Sequence, residues 1–204
     1  MEKMVFRNSN YSLWQADYNC VGEIANFVVK ENEKHHCGGK TEEEIEIDIA
    51  NICNEEKNYS SLKSFIYIAR NAAGKMIGCI RVFKWDGTAT LPIQKLFGID
   101  PKTATHYSSH WHIGRFAIDS FAGVPTMTLF KQLMAMAVSP IVKDSDSCMI
   151  AETDSKLLRI MNALGIITTQ LGDSIEYLSS ETIPICSSRD GLLDFYQRHA
   201  MLCP

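Results

Sequence analysis

Residues 110–118 read His-Trp-His-Ile-Gly-Arg-Phe-Ala-Ile, and a Gly- and Pro-bearing stretch at 120–125 follows before an apolar run over 127–138. The apolar and aromatic residues of 111–118 predict a strand, and the next stretch predicts a turn. Thr126 has the chemistry of an N-cap, and a helix over 127–138 that is apolar almost all round is a buried one. A strand that enters a buried helix through one short turn is the seed of a layered structure. Downstream, 148–151 reads as another strand. Asp154 caps a helix over 155–164 that stops at Gly165. Short strands at 166–171, 175–178 and 183–186 then precede a C-terminal helix from Arg189.

Upstream, 64–70 (SFIYIAR) and 76–85 (MIGCIRVFKW) are β-rich and joined by a short loop at 71–75, which makes a hairpin. Leu91-Pro92 opens a connection that runs on to 107. Before the hairpin, Val21, Ile24, Ala25, Val28 and Val29 recur at helical spacing, so 18–34 is an amphipathic helix. Thr41 followed by Glu44 is a capping-box pattern, with Ile45, Ile49 and Ile52 on one helical face. The same EIEIDI segment alternates with period two, so a strand stays open there; the cap and the acidic first turn favour helix. The succession of helices, hairpin, strand, helix, strand, helix, strand predicts a mixed α/β (α+β) fold. A central sheet would be covered by helices on both faces, as a single domain over 1–204.

Composition narrows the function. The chain has 204 residues, 46% of them apolar and 22% charged, a globular balance with enough length to bury a core unaided. Lys plus Arg number 20 against 24 Asp plus Glu, and the net charge of −4 is a poor start for binding nucleic acid. The N-terminal stretch lacks the apolar core of a signal peptide, and 127–142 is too interrupted to span a bilayer. Seven scattered cysteines without a CxxC read as reduced thiols. A cytoplasmic protein is expected.

Three features compete as sites. Strict alternation along the strand puts His110, His112, Gly114 and Phe116 on one face and Trp111, Ile113, Arg115 and Ala117 on the other. Gly114 leaves open backbone on the histidine face, and the start of the following helix offers free N–H groups to a phosphate. The structural alternative is that both histidines are hydrogen-bonded core or surface residues. Arg115 among apolar neighbours needs a carboxylate, with Glu152 on the neighbouring strand the candidate, or a ligand anion. The second feature, His35-His36-Cys37, has a zinc-like residue set but no zinc-module spacing, so no metal is expected. The third, the acidic run over 42–48, reads as a solvated helix face. Met127, Met134 and Met136 read as core filler.

Gly78-Cys-Ile-Arg81, then Leu91-Pro92, then His112 to Ile118 together resemble the N-acyl-amino-acid synthases and acyl-homoserine-lactone autoinducer synthases, a branch of the GNAT N-acyltransferase superfamily. Ala163-Leu-Gly165-Ile166 after a strand ending near Glu152 resembles the late strand–helix unit of that fold. The resemblance covers roughly 64–186. It implies a mostly antiparallel sheet with a splayed central strand pair, 111–118 against 148–152. An acyl thioester, carried by acyl carrier protein or coenzyme A, would lie between them with its carbonyl against backbone N–H groups of Phe116, Ala117 and Ile118. Arg81, Gly123 and Thr126 would complete the donor site. The acceptor would be a small amine, an amino acid rather than S-adenosylmethionine. The family's glutamate three residues before the strand arginine is His112 here, which has the pKa of a base or base relay. His112, Arg115 and Glu152 are thus the catalytic candidates. Met161 stands where acetyltransferases often carry a tyrosine acid. Lys131, Lys143 and Arg159 are candidates for docking a carrier protein. An acetyl-CoA-dependent enzyme and a non-catalytic ligand- or metal-binding module are the rival readings.

Overall fold

The structure, a computed structural model, describes residues 2–35, 39–177 and 180–203. His36 and Cys37 of the candidate metal motif, and Leu178 of an expected strand, lie outside the described residues. The order is β1 (Lys3–Arg7), β2 (Tyr11–Ala16), α1 (Val21–His35), α2 (Glu42–Lys57), β3 (Ser64–Asn71), β4 (Met76–Lys84), α3 (Pro92–Phe97) and α4 (Pro101–Ala104). Then come β5 (Ser109–Ile118), α5 (Thr126–Val142), β6 (Ser147–Thr153), α6 (Ser155–Ala163), β7 (Thr169–Gln170), β8 (Ile175–Tyr177), β9 (Ser180–Ser188) and α7 (Arg189–His199). The strands form one sheet in the order β1-β2-β3-β4-β5-β6-β9-β7, with β8 on β9. Every pairing is antiparallel except β5 with β6. The fold class is therefore the α+β expected. Among the described residues no helix is long and apolar enough to cross a membrane.

Two of the helices show their local causes plainly. α2 carries the full capping box: Glu44 N–H donates to the Thr41 hydroxyl, and Thr41 N–H donates back to the Glu44 carboxylate. That settles EIEIDI as helix. The Asp154 carboxylate accepts from Leu157 N–H at 2.7 Å and starts α6, and Gly165 ends it at φ 85°, a conformation costly for any residue with a Cβ.

Five expectations need correction. The N-terminal residues form the hairpin β1–β2, which extends the sheet by two strands where none was foreseen; Tyr11 and Leu13 point into the core while Ser12 does not. Pro125, not Thr126, stands at the N-cap of α5, and Thr126 is its first helical residue. The helix continues to Val142, with Pro140 accommodated in its last turn. The connection after Leu91 holds two short helices, each opened by a proline. Met127 is exposed and is not core, whereas Met134 and Met136 are buried.

Two apolar layers sandwich the sheet. On one face α5 and α7 pack on Trp111, Ile113, Met149 and Ile185. On the other, α1 packs on Ile66, Ile68, Cys79 and Ala117, and Tyr59, Phe83, Leu91 and Ile150 continue that layer. Gln132, buried in α5, accepts from the Tyr11 hydroxyl and donates to Leu202 O at 2.9 Å, so one polar residue ties both chain termini to the central helix.

Candidate active site

β5 pairs with β6 over only four residues, from Ser109 with Ser147 to His112 with Ile150. Beyond that point the strands part, and a cavity of about 260 Å³ fills the gap through the sheet. On the α5–α6 side its walls are Ile113, Phe116, Met134, Met149, Leu157 and Met161. On the α1–α2 side they are Asn51, Glu55, Arg81, His112, Arg115 and Glu152. One opening thus has an apolar half and a charged half.

A bulge in β5 creates the charged half. Cys79 pairs with Ala117 and Arg81 with Gly114, so Ile80 alone opposes Arg115 and Phe116. Arg115 sits at φ 55°, the single positive φ at a non-glycine among the described residues. The extra residue reverses the alternation. Arg115 therefore joins the histidine face and Phe116 packs edge-on against Phe130 of α5, at 5.1 Å between ring centres. This corrects the face assignment expected from strict period two.

The partners also differ from expectation. Arg115 does not pair with Glu152. Its Nε donates to Glu56 at 2.8 Å and its Nη2 to Glu55, both on α2. Glu56 also faces Arg81 Nη1 at 3.4 Å, and Glu56 and Arg81 are 3% and 2% exposed. Burial pulls the Arg81 guanidinium below its ordinary pKa, with Glu56 opposing it. Burial works the same way on Arg115, but there Glu56 and Glu55 prevail and hold the guanidinium above its ordinary value. Arg81 stacks over the rings of Phe83 and Tyr59, at 4.5 and 5.0 Å.

His112 lies between Arg81 and Glu152. Arg81 Nη2 is 3.2 Å from its Nδ1, and its Nε2 is 3.0 Å from Glu152 Oε2. A guanidinium only donates, so Nδ1 accepts and the ring proton resides on Nε2, which donates to the carboxylate. Phe83 stacks on the same ring at 5.2 Å. Gly114 is required here: a Cβ would stand 2.8 Å from Arg81 Nη2 and 3.0 Å from His112 Cε1. His110 is held apart from this cluster by Thr105, whose hydroxyl is 2.8 Å from its Nε2, and burial lowers its pKa.

Of the expected donor-site residues, Arg81 and Phe116 line the cavity. Ala117 is buried on the α1 side, and Ile118 packs in the α5 layer. Gly123, at φ 70°, and Thr126 lie at the entrance to α5. Lys143, one of the candidates for docking a carrier protein, follows the far end of α5, about 25 Å along the axis from that entrance. Glu55 and Glu56 escaped the sequence reading. The signal was present: Ile45, Ile49, Ile52 and Glu56 share one helical face, so Glu56 is a carboxylate at an apolar position.

No protein-family model matches the sequence, and no curated protein does. Solved structures do match the fold. FeeM, an N-acyl amino acid synthase from uncultured soil microbes, is 13% identical and aligns over 98% of this chain and 99% of its own, with a TM-score of 0.64. The acyl-homoserine-lactone synthase LasI is 12% identical over 93% of this chain and 96% of its own, at 0.61. FdhC, a nucleotide-linked sugar GNAT, is 11% identical over 99% of each chain, at 0.52. The chain has the GNAT-like fold of these structures.

Proposed function

We propose that this chain is an N-acyltransferase, one domain throughout, that moves an acyl group from a thioester to the amine of a small acceptor. The observation that carries this reading is the cavity through the sheet between β5 and β6, apolar on one side and charged on the other. The two halves suit the two substrates. An acyl chain gains from burial against Met134, Met149, Leu157 and Met161, at about 0.8 kcal/mol per methylene. An ammonium finds Glu152 and Glu55 on the opposite side. The likeness to the N-acyl amino acid synthase and acyl-homoserine-lactone synthase structures supports the same assignment.

In this reading the thioester carbonyl lies in the gap, where β5 has no β6 partner beyond His112. Backbone N–H groups of that stretch polarise it, Phe116 being nearest the cavity among 116–118. The amine attacks from the charged side and its proton leaves through the His112–Glu152 pair. Arg115 holds the bulge and α2 in place. The donor is an acyl carrier protein or coenzyme A, with Gly123 and Thr126 on the side where the thiol-bearing arm would enter. The acceptor is an amino acid or a similar small amine.

The test is mass spectrometry of lipid extracts from cells expressing the native chain or Ala151→Trp, which fills the apolar half of the cavity. Folding of the variant is checked by circular dichroism. New N-acyl amines with the native chain, lost in the folded variant, support the reading and identify acceptor and chain length together. Native extracts identical to the empty-vector control reject long-chain transfer and leave acetyl transfer as the reading to test.

A further inference from the structure

We propose that Glu152, and not His112, takes the proton from the attacking nitrogen, and that His112 is a positioning residue. This assignment rests on the acyl-transfer reading above. His112 is 1% exposed and both of its ring nitrogens are engaged, Nδ1 by Arg81 and Nε2 by Glu152. Its lone pair points at a guanidinium. To act as a base it would have to accept a proton at the nitrogen facing a buried cation that itself lies over the rings of Tyr59 and Phe83. Low dielectric makes that juxtaposition of two positive charges expensive.

Glu152 has the complementary arrangement. Oε2 accepts from His112, while Oε1 is buried, lines no bond to any described residue, and belongs to a side chain on the cavity wall. A buried carboxylate oxygen without a partner costs roughly 1–3 kcal/mol, and a small rotation of the Glu152 side chain, 12% exposed on the cavity wall, presents it to a donor there. An ammonium is that donor. The charged groups sharing the cavity are Arg81, Arg115, Glu55, Lys95 and Asp154, with Tyr177 the remaining titratable neighbour. Both arginines already face Glu56, and Arg115 faces Glu55 as well.

The step balances as follows. The acceptor enters as an ammonium and gives one proton to Glu152 Oε1. The neutral nitrogen attacks, the C–N bond forms and the C–S bond breaks. A second nitrogen proton goes to the departing sulfur, leaving an amide, a free thiol and a protonated Glu152 that returns its proton to water.

The experiment compares native protein, Glu152→Gln and His112→Gln, with dodecanoyl-CoA or dodecanoyl carrier protein as donor and a mixture of the common amino acids as acceptor. Thiol release gives kcat against pH, and thermal melts confirm folding. Separately, ¹⁵N-histidine spectra report the His112 tautomer, whose signal is identified by its loss in His112→Gln. Glu152→Gln should lose at least about 100-fold in kcat and the acidic limb of the profile. His112→Gln should lose about tenfold, the worth of one hydrogen bond, and keep that limb. The His112 signal should show its proton on Nε2 and its lone pair on Nδ1. Activity of folded Glu152→Gln within threefold of native, an acidic limb lost equally in both variants, or a His112 ring carrying its proton on Nδ1 would overturn the assignment while leaving acyl transfer intact. No product from the native protein with either donor would instead remove the reading beneath it.

Discussion

Replacing Glu56 by Gln tests the electrostatic framework of the site. The substitution keeps the shape of the side chain and an oxygen for Arg115 Nε, but it removes the one negative charge shared by Arg81 and Arg115. Glu56 and Arg81 are almost fully buried, so water cannot take over the lost compensation. Breaking a buried ion pair by removing one partner costs about 3–5 kcal/mol. Glu55 still serves Arg115, which places the expected loss near the lower limit, about 3 kcal/mol. For a chain of this size that lowers the melting temperature by about 6–12 °C. The assay is a thermal melt, paired with urea denaturation to check that the slope is unchanged. A double-mutant cycle with Arg81→Met sharpens it. With one guanidinium gone, Glu56→Gln should cost less by about 1–3 kcal/mol. A melt within about 2 °C of native, or strict additivity in the cycle, would refute the claim that Glu56 neutralises both arginines.

The strained bulge makes a second prediction: Arg115→Gly should be more stable than Arg115→Ala by about 1 kcal/mol, read from urea midpoints, because both lose the ion pairs but only glycine accepts φ 55° without strain. Gly114→Ala should cost about 1–3 kcal/mol and lower activity, since its Cβ would push Arg81 off His112; unchanged melting and turnover would contradict the packing described. At Asp144, burial alone would raise the carboxyl pKa, but hydrogen bonds from Lys84, Ser109 and Trp111 outweigh it and hold the pKa at about 2. A folded-state pKa below the unfolded value means this stabilisation is complete above about pH 4 and is lost as pH falls towards 2. Lys84 is 42% exposed, so screening limits the contribution to about 1 kcal/mol, and Asp144→Asn should show a smaller fall in urea midpoint than native between pH 5 and 3.

Much of the architecture is local and was legible in the chain. The capping box at Thr41 and Glu44, the Asp154 cap and the Gly165 stop each satisfy backbone groups within a few residues. Such signals survive in sequence because their partners are neighbours. The β3–β4 hairpin and the β5–turn–α5 unit read correctly for the same reason. The N-terminal hairpin did not, because KMVFR and YSLWQA are short and only the register of β2 against β3 reveals which side chains face the core.

The site divides along the same line. His112, Arg81 and Glu152 stood out by type, and Arg115 as a charge in need of a partner. Which carboxylate meets which arginine was decided by tertiary structure alone. A single bulged residue in β5 turned Arg115 from one face of the sheet to the other, and so from Glu152 to Glu55 and Glu56, some sixty residues away in the chain. Period two is a property of a strand paired without interruption; the bulge depends on how β4 lies beside it. Sequence determined the elements and the chemically active residue types, because those follow from short-range hydrogen bonding and burial. The partners, the tautomer of His112 and the opening between β5 and β6 came only from the packing of distant segments, where the energy of a buried charge depends on everything brought around it.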